Sequence, residues 1–142
     1  MRKETQCVHS GAIKDIMSGG VNSPIFTSTA FNYLDREQLS YPRYFNTPNQ
    51  LAVVAKVCAL EGAEDGVLFS SGMAAVSTAL LGLLQSGDEV VCCAAIYGGT
   101  FHVLNGLAAK FGITTRWASL EEFHAPEGLV GPKTRMVWCE SP

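Results

Sequence analysis

From residue 49 to residue 139 the apolar runs alternate between two lengths, and that alternation restricts the fold more than any other feature. Glu89-Val90-Val91-Cys92-Cys93 is a short β-favouring run without polar alternation, as expected of a strand covered on both faces. Val67–Phe69, Ile113–Ala118 and Arg135-Met136-Val137-Trp138-Cys139 read as further strands. Helical spacing fills the intervals. Leu51, Val54, Val57, Cys58 and Leu60 share a stripe that Gly62 can stop, and Met73–Leu84 is a largely apolar helix closed by Gln85-Ser86-Gly87. Thr100 can cap a helix running to Lys110 and ending at Gly112, and Ser119-Leu120-Glu121-Glu122 has capping-box spacing. Strands alternating with crossover-length helices predict an α/β fold with a mostly parallel, open sheet. Ligands of such sheets sit off the carboxyl ends of the strands. Those ends carry Ser70–Met73, Tyr97–Thr100 and Glu140.

The first part of the chain follows no such rhythm. Gly11, Gly19, Gly20 and Asn22 interrupt every period, Pro24–Phe31 reads as extended, and Pro42 and Pro48 block a helix around the cluster Tyr41-Pro42-Arg43-Tyr44-Phe45-Asn46. The expected division is an arm, 1–48, and the first part of an α/β domain, 49–142. So long a stretch without core-forming periodicity is either disordered or packs on a surface the chain does not itself supply. The 47% apolar and 16% charged residues suit a buried sheet with a lightly charged surface. A net charge of −3, with no basic run longer than Arg2-Lys3, gives no case for nucleic acid or an anionic membrane. The start is polar and every apolar stretch is interrupted, so neither a signal peptide nor a membrane span is expected. The odd cysteine, among Cys7, Cys58, Cys92, Cys93 and Cys139, and the lack of C-x-x-C favour buried reduced thiols in a cytoplasmic protein. His9, His102 and His124 share no metal spacing, and no metal site is expected.

Three places carry chemistry. Val67-Leu68-Phe69 runs into Ser70-Ser71-Gly72 and at once into a helix, which leaves backbone N–H groups and the helix dipole facing an anion. A strand-to-helix turn with no ligand has the same local pattern, and the Walker lysine, G-x-G-x-x-G and G-x-S-x-G are all absent. Tyr97, beside Gly98 and Gly99, can lie over a planar ring or be an ordinary loop tyrosine. Arg43 with Tyr41 offers a fork of donors and a phenol to a phosphate, or is a plain surface arginine. Glu140 is either a buried acid at a strand end or the polar residue that closes the strand. Lys3, Lys14, Lys56, Lys110 and Lys133 all stand in polar or helix-surface settings, none of them suited to a nucleophile.

Taken in order, Ser70-Ser71-Gly72-Met73-Ala74-Ala75, Tyr97-Gly98-Gly99-Thr100-Phe101 and Glu140-Ser141-Pro142 resemble the Cys/Met-metabolism, or trans-sulfuration, family of pyridoxal-5′-phosphate enzymes. Val8-His9-Ser10-Gly11, Pro24–Phe31 and Leu60-Glu61-Gly62 extend the resemblance over essentially the whole chain. It implies the type I fold of aspartate aminotransferase, with helices on both faces of the sheet, incomplete in this chain. It implies that Ser71, Gly72 and Met73 bind the cofactor phosphate, and that Tyr97 stacks on the pyridine ring and assists proton transfer as the chain's catalytic residue. Tyr41 and Arg43 match a Tyr-x-Arg that reaches the cofactor of the neighbouring subunit, so a homo-oligomer, a dimer of dimers, is implied. The Tyr-x-Arg motif departs from the family pattern at Thr47-Pro48-Asn49, and Gly99 stands where methionine γ-lyases carry a cysteine. The family's covalent lysine, pyridine-nitrogen aspartate and carboxylate-binding arginine match no position here, so the chain reads as an N-terminal portion. The implied activity is γ-elimination or γ-replacement on a sulfur amino acid or O-acylhomoserine, of the cystathionine γ-synthase or γ-lyase type. O-acetylhomoserine sulfhydrylase and methionine γ-lyase are alternatives within the family. Outside it stand a non-catalytic assembly module and an α/β domain that binds another phosphate, such as a nucleotide.

Overall fold

Thr47-Pro48-Asn49-Gln50 starts the first long helix with a closed set of local bonds. The Gln50 side chain accepts from the Thr47 N–H at 3.2 Å and from the Thr47 hydroxyl at 2.7 Å, in a capping box with Pro48 in the first turn. Pro48 therefore opens a helix rather than blocking one, because a first-turn proline gives up only an N–H that has no helical partner. The computed structural model describes residues 2–141. They form two units divided between Leu68 and Phe69.

In the first unit, helix α1 (Lys3–His9) packs on helix α2 (Pro48–Glu61). Each lysine at this contact closes the other helix: Lys3 Nζ donates to Leu60 O at 2.9 Å, and Lys56 Nζ donates to Cys7 O at 3.2 Å. Helix α1 was not expected. It is seven residues long, buries nothing and has no side-chain cap, so no sequence period announces it. Pro24–Phe31 lies without regular structure and is tied back by Asn49, whose side chain accepts from Phe26 N and donates to Phe26 O. A 3-10 turn, Pro42–Tyr44, closes with Phe45 in the left-handed region at φ 56°. Among the described residues of this unit no hydrophobic side chain is buried, and Ile16, Met17 and Val21 are 89%, 93% and 96% exposed.

The second unit holds the sheet. Strands β1 (Glu89–Cys93), β2 (Thr114–Ala118) and β3 (Thr134–Trp138) lie parallel in the order β2-β1-β3. The central β1 is buried from Val90 to Cys93, which accounts for its unbroken apolar run. Val90 and Cys92 face Leu80, Leu104, Ala108 and Ile113, from helix α3 (Gly72–Leu83) and the segment after helix α4 (Gly98–His102). Val91 faces the other way, onto Ala118 and Leu129, with Phe123 of helix α5 (Leu120–Phe123) against them. Helices thus cover both faces. Full burial of side chains such as Leu80 and Leu104 stabilises by about 1.5–3 kcal/mol each.

Three expectations are corrected. Val67–Phe69 forms no strand, because no strand among the described residues pairs with it. Thr100 does not cap: α4 begins at Gly98 with Tyr97 as N-cap, and Thr100 lies inside the helix, fully buried. The helix then continues through a π-helical stretch, Val103–Ala108, before Gly112 turns the chain at φ 75°. Among the cysteines only Cys92 and Cys93 are buried; Cys7 and Cys139 are exposed, on a helix that buries nothing and just past the last paired residue of β3.

Candidate functional site

The turn into α3 presents open donors. Ser71 adopts extended backbone and its hydroxyl accepts from Ala74 N at 3.1 Å, which caps the helix. The N–H groups of Gly72 and Met73 have no hydrogen-bond partner among the described residues, as the first turn of an α-helix dictates. A Cβ built on Gly72 would meet nothing within 4 Å, so the helix start is uncrowded at this residue. The twelve-residue helix adds its positive end to the same place.

Tyr97 lies beyond the carboxyl end of β1, its side chain largely exposed. Gly99 permits the close approach that joins this residue to the α3 turn. A Cβ at Gly99 would stand 2.5 Å from Tyr97 Cε1 and 2.7 Å from Met73 Sδ, so both side chains pack on the bare glycine. The structure therefore brings Ser71, Gly72, Met73 and Tyr97 together.

Behind them sits Glu140, immediately after β3. Its carboxylate accepts three hydrogen bonds: from Tyr97 N at 2.7 Å, from Thr100 Oγ1 at 2.6 Å and from Trp138 Nε1 at 3.0 Å. Burial alone would raise its pKa, but the bonds from Thr100, Tyr97 and Trp138 outweigh it and hold the carboxyl below its ordinary value. Glu140 and Tyr97 also line an open cleft of about 580 Å³ with Ala94, Ala95, Ile96 and Ser141. Glu140 is half-buried rather than buried, and with three hydrogen bonds it does more than close the strand. Thr100 and Trp138 carried no expectation of this kind. The signal available was Glu-Ser-Pro directly after an apolar strand, although nothing local points from there to Thr100.

Tyr41 and Arg43 belong to the first unit. Tyr41 N donates to Asn46 Oδ1 at 2.9 Å, and Gln50 Nε2 donates to Pro42 O at 2.9 Å, which ties the turn to the start of α2. Arg43 Nη1 makes a long bond of 3.4 Å to Tyr41 Oη, and both side chains are exposed. Together they present a phenol and a guanidinium in one direction-setting turn, a donor set suited to a phosphate.

A cleft of about 400 Å³ lined by Leu84, Gln85, Ser86 and Ile113 lies at the amino ends of the strands and offers no charged group. Among the described residues no group of three or more His, Cys, Asp or Glu side chains is placed to hold a metal ion, and no helix is long and apolar enough to cross a membrane.

A planar phosphorylated cofactor fits this donor set. The α3 turn supplies unpartnered N–H groups to an anion, a Cβ at Gly72 would meet nothing within 4 Å, and Tyr97 offers an exposed ring on a residue whose backbone N–H is held by Glu140.

Comparison with known proteins agrees with that chemistry. Residues 4–142 match the family model described as Cys/Met metabolism PLP-dependent enzyme. The chain is 35% identical over 141 residues to cystathionine beta-lyase MetC of Bacillus subtilis, covering 98% of this chain and 36% of that protein. It is 33% identical over 144 residues to the cystathionine gamma-lyase of the same organism, covering 100% and 38%. The crystal structure of metB from Corynebacterium glutamicum superposes with a TM-score of 0.89 at 29% identity, covering 100% of this chain and 38% of that one. The chain therefore spans little more than a third of the length of these relatives.

Proposed function

The chain belongs to the Cys/Met-metabolism family of pyridoxal-phosphate-dependent enzymes, and from that premise we propose that it forms part of an enzyme for γ-elimination or γ-replacement on a sulfur amino acid or O-acylhomoserine. The observation that carries the reading is the open donor turn at Ser71–Met73, standing next to Tyr97 in a chain that matches the family model from residue 4 to residue 142.

Ser71, Gly72 and Met73 hold the cofactor phosphate, with the backbone N–H groups as donors and the helix dipole as a favourable field. Tyr97 would lie on the pyridine ring and fix its plane, and it would serve to move a proton near the substrate's α-carbon. Bound there, the cofactor supplies an electron-withdrawing ring that stabilises charge developing on an amino acid's α-carbon. Tyr41 and Arg43 reach the cofactor phosphate of a neighbouring subunit in a dimer of dimers, and residues 1–48 are the arm that packs on that neighbour. The exposure of Ile16, Met17 and Val21 supports this packing, since three such side chains in one loop are costly to leave in water.

The similarity to a cystathionine beta-lyase supports a second reading, β-elimination, on the same cofactor. One assay separates them. The complete gene product is loaded with pyridoxal 5′-phosphate and given cystathionine. Cleavage at the γ-carbon releases cysteine, 2-oxobutanoate and ammonia, and cleavage at the β-carbon releases homocysteine, pyruvate and ammonia. Absence of a visible cofactor absorbance band in the loaded protein would remove both readings.

A further inference from the structure

We propose that Glu140 is a positioning residue for the cofactor ring: its carboxylate, bridging Tyr97 N and Thr100 Oγ1, locks the Tyr97 turn so that the phenol stands against Met73 and the phosphate turn. The inference rests on the reading of Ser71–Met73 and Tyr97 as a pyridoxal-phosphate grip.

The need for such a lock follows from the turn itself. Ala94–Ile96 lies outside regular structure, and Tyr97, as N-cap of α4, has no side-chain cap of its own. The helix it starts is only five residues of regular α-helix before the backbone slackens into the π-helical stretch. Two glycines, Gly98 and Gly99, follow the tyrosine as the first residues of α4, and glycine is the residue that favours a helix least apart from proline. Apolar contact on the ring is slight, since it packs on Gly99 and Tyr97 is still 65% exposed. Beside the first helical bond of α4, from Phe101 N to Tyr97 O at 3.1 Å, the hold on the turn comes from Glu140. One oxygen takes the Tyr97 N–H at 2.7 Å, and the other takes the Thr100 hydroxyl at 2.6 Å. Thr100 is completely buried and so cannot follow the turn outward. Trp138 Nε1, donating at 3.0 Å to the same oxygen as Thr100, fixes the carboxylate from the strand side. The acid is thus anchored by Thr100 and Trp138, and the same carboxylate holds the Tyr97 N–H.

A lock of this kind acts on affinity through population. Cofactor binds the turn only when Tyr97 is in place, so apparent affinity falls in proportion to the fraction of molecules with the turn in place. Glu140→Gln replaces one acceptor oxygen by a donor NH₂, which cannot accept from both Tyr97 N and Thr100 Oγ1. Thr100→Val removes one anchor while keeping the shape of the buried side chain. Thr100→Ser keeps the hydroxyl. None of the three touches Ser71, Gly72 or Met73.

The test uses the complete gene product as apo protein. Four quantities are read: the dissociation constant for pyridoxal 5′-phosphate, the inhibition constant of inorganic phosphate against it, the induced circular dichroism of the bound cofactor, and the thermal midpoint. Glu140→Gln and Thr100→Val are expected to weaken pyridoxal-phosphate binding by about tenfold, the scale of one lost hydrogen bond to a charged group, and to reduce the induced dichroism. Phosphate inhibition is expected to stay within about twofold of wild type, because the α3 turn is intact, and Thr100→Ser is expected to restore wild-type affinity and dichroism. Unchanged cofactor affinity in both Glu140→Gln and Thr100→Val would overturn the proposal, and so would an equal loss of inorganic phosphate, which would show general collapse. If Glu140→Gln fails to fold, the Thr100→Val and Thr100→Ser pair decides. If the wild-type protein binds no pyridoxal phosphate, the functional reading fails on its own, and amide exchange at Tyr97 judges the lock. Exchange about tenfold faster in Glu140→Gln supports it, and equal rates refute it.

Discussion

Gly72→Pro separates the structural work of the α3 turn from its donor work. Gly72 is the first residue of the helix, where proline's fixed φ is suited to the backbone and its missing N–H costs no helical bond. The residue before a proline must be extended, and Ser71 already is, at φ −156° and ψ 155°. A Cβ at 72 meets nothing within 4 Å, and the cap bonds from Ala74 N at 3.1 Å and Ala75 N at 3.2 Å to Ser71 do not involve residue 72. Folding stability is therefore expected to rise by about 0.4–1 kcal/mol, because the unfolded chain loses freedom. The same substitution deletes one N–H aimed at the proposed phosphate. A hydrogen bond to a charged oxygen contributes about 1.5–3 kcal/mol, so pyridoxal-phosphate affinity is expected to fall roughly ten- to a hundredfold. Gly72→Ala keeps the N–H and serves as control. Fluorescence titration of apo protein with the cofactor, beside urea unfolding of the same samples, reads both numbers. A Gly72→Pro protein that binds cofactor within about twofold of Gly72→Ala would refute the assignment of this turn to the phosphate.

Leu80 is fully buried among Leu84, Val90, Cys92, Leu104 and Ile113, so Leu80→Ala is expected to destabilise by about 2–5 kcal/mol in urea unfolding. Burial opposes ionisation of Glu140, yet its three hydrogen bonds hold the pKa below the ordinary carboxylate value. The stability they confer is complete above that ordinary value and is lost as pH falls through the depressed one. Acid unfolding of wild type should therefore show a pH-dependent loss in this range that Glu140→Gln lacks. Burial pushes the Cys92 thiol up to about 12, with Cys93, Glu140 and Cys139 adding to the shift. Its contribution to stability is complete below the ordinary thiol pKa and declines as pH rises toward about 12. At pH near 8 an aromatic disulfide reagent should leave Cys92 unmodified until the protein unfolds.

The elements legible in the sequence are those whose causes are local. Helices α2 and α3 and strand β1 follow from stripe, cap and run, and the capping box at Ser119 and Glu122 forms both of its bonds. Val67–Phe69 has strand-forming side chains, but a strand also needs a hydrogen-bonded neighbour, and composition says nothing about whether one exists. Helix α1 failed to show for the opposite reason: Lys3 and Lys56 hold it by bonds to distant carbonyls rather than by an apolar face.

The candidate site divides along the same line. Ser71, Gly72 and Met73 could be found because a helix start after an apolar run has one set of unpartnered donors, whatever surrounds it. Thr100 was misread because a threonine after two glycines is a plausible cap, and its actual partner lies forty residues on. Its burial settles the matter. A hydroxyl at 0% exposure calls for a partner, and Thr100 Oγ1 finds its acceptor on another element. Glu140, placed by the end of β3 beside the end of β1, is that acceptor, and parallel pairing of the two strands is what puts it there. The link between Tyr97 and its support is thus a consequence of sheet topology, which no single stretch of the chain encodes.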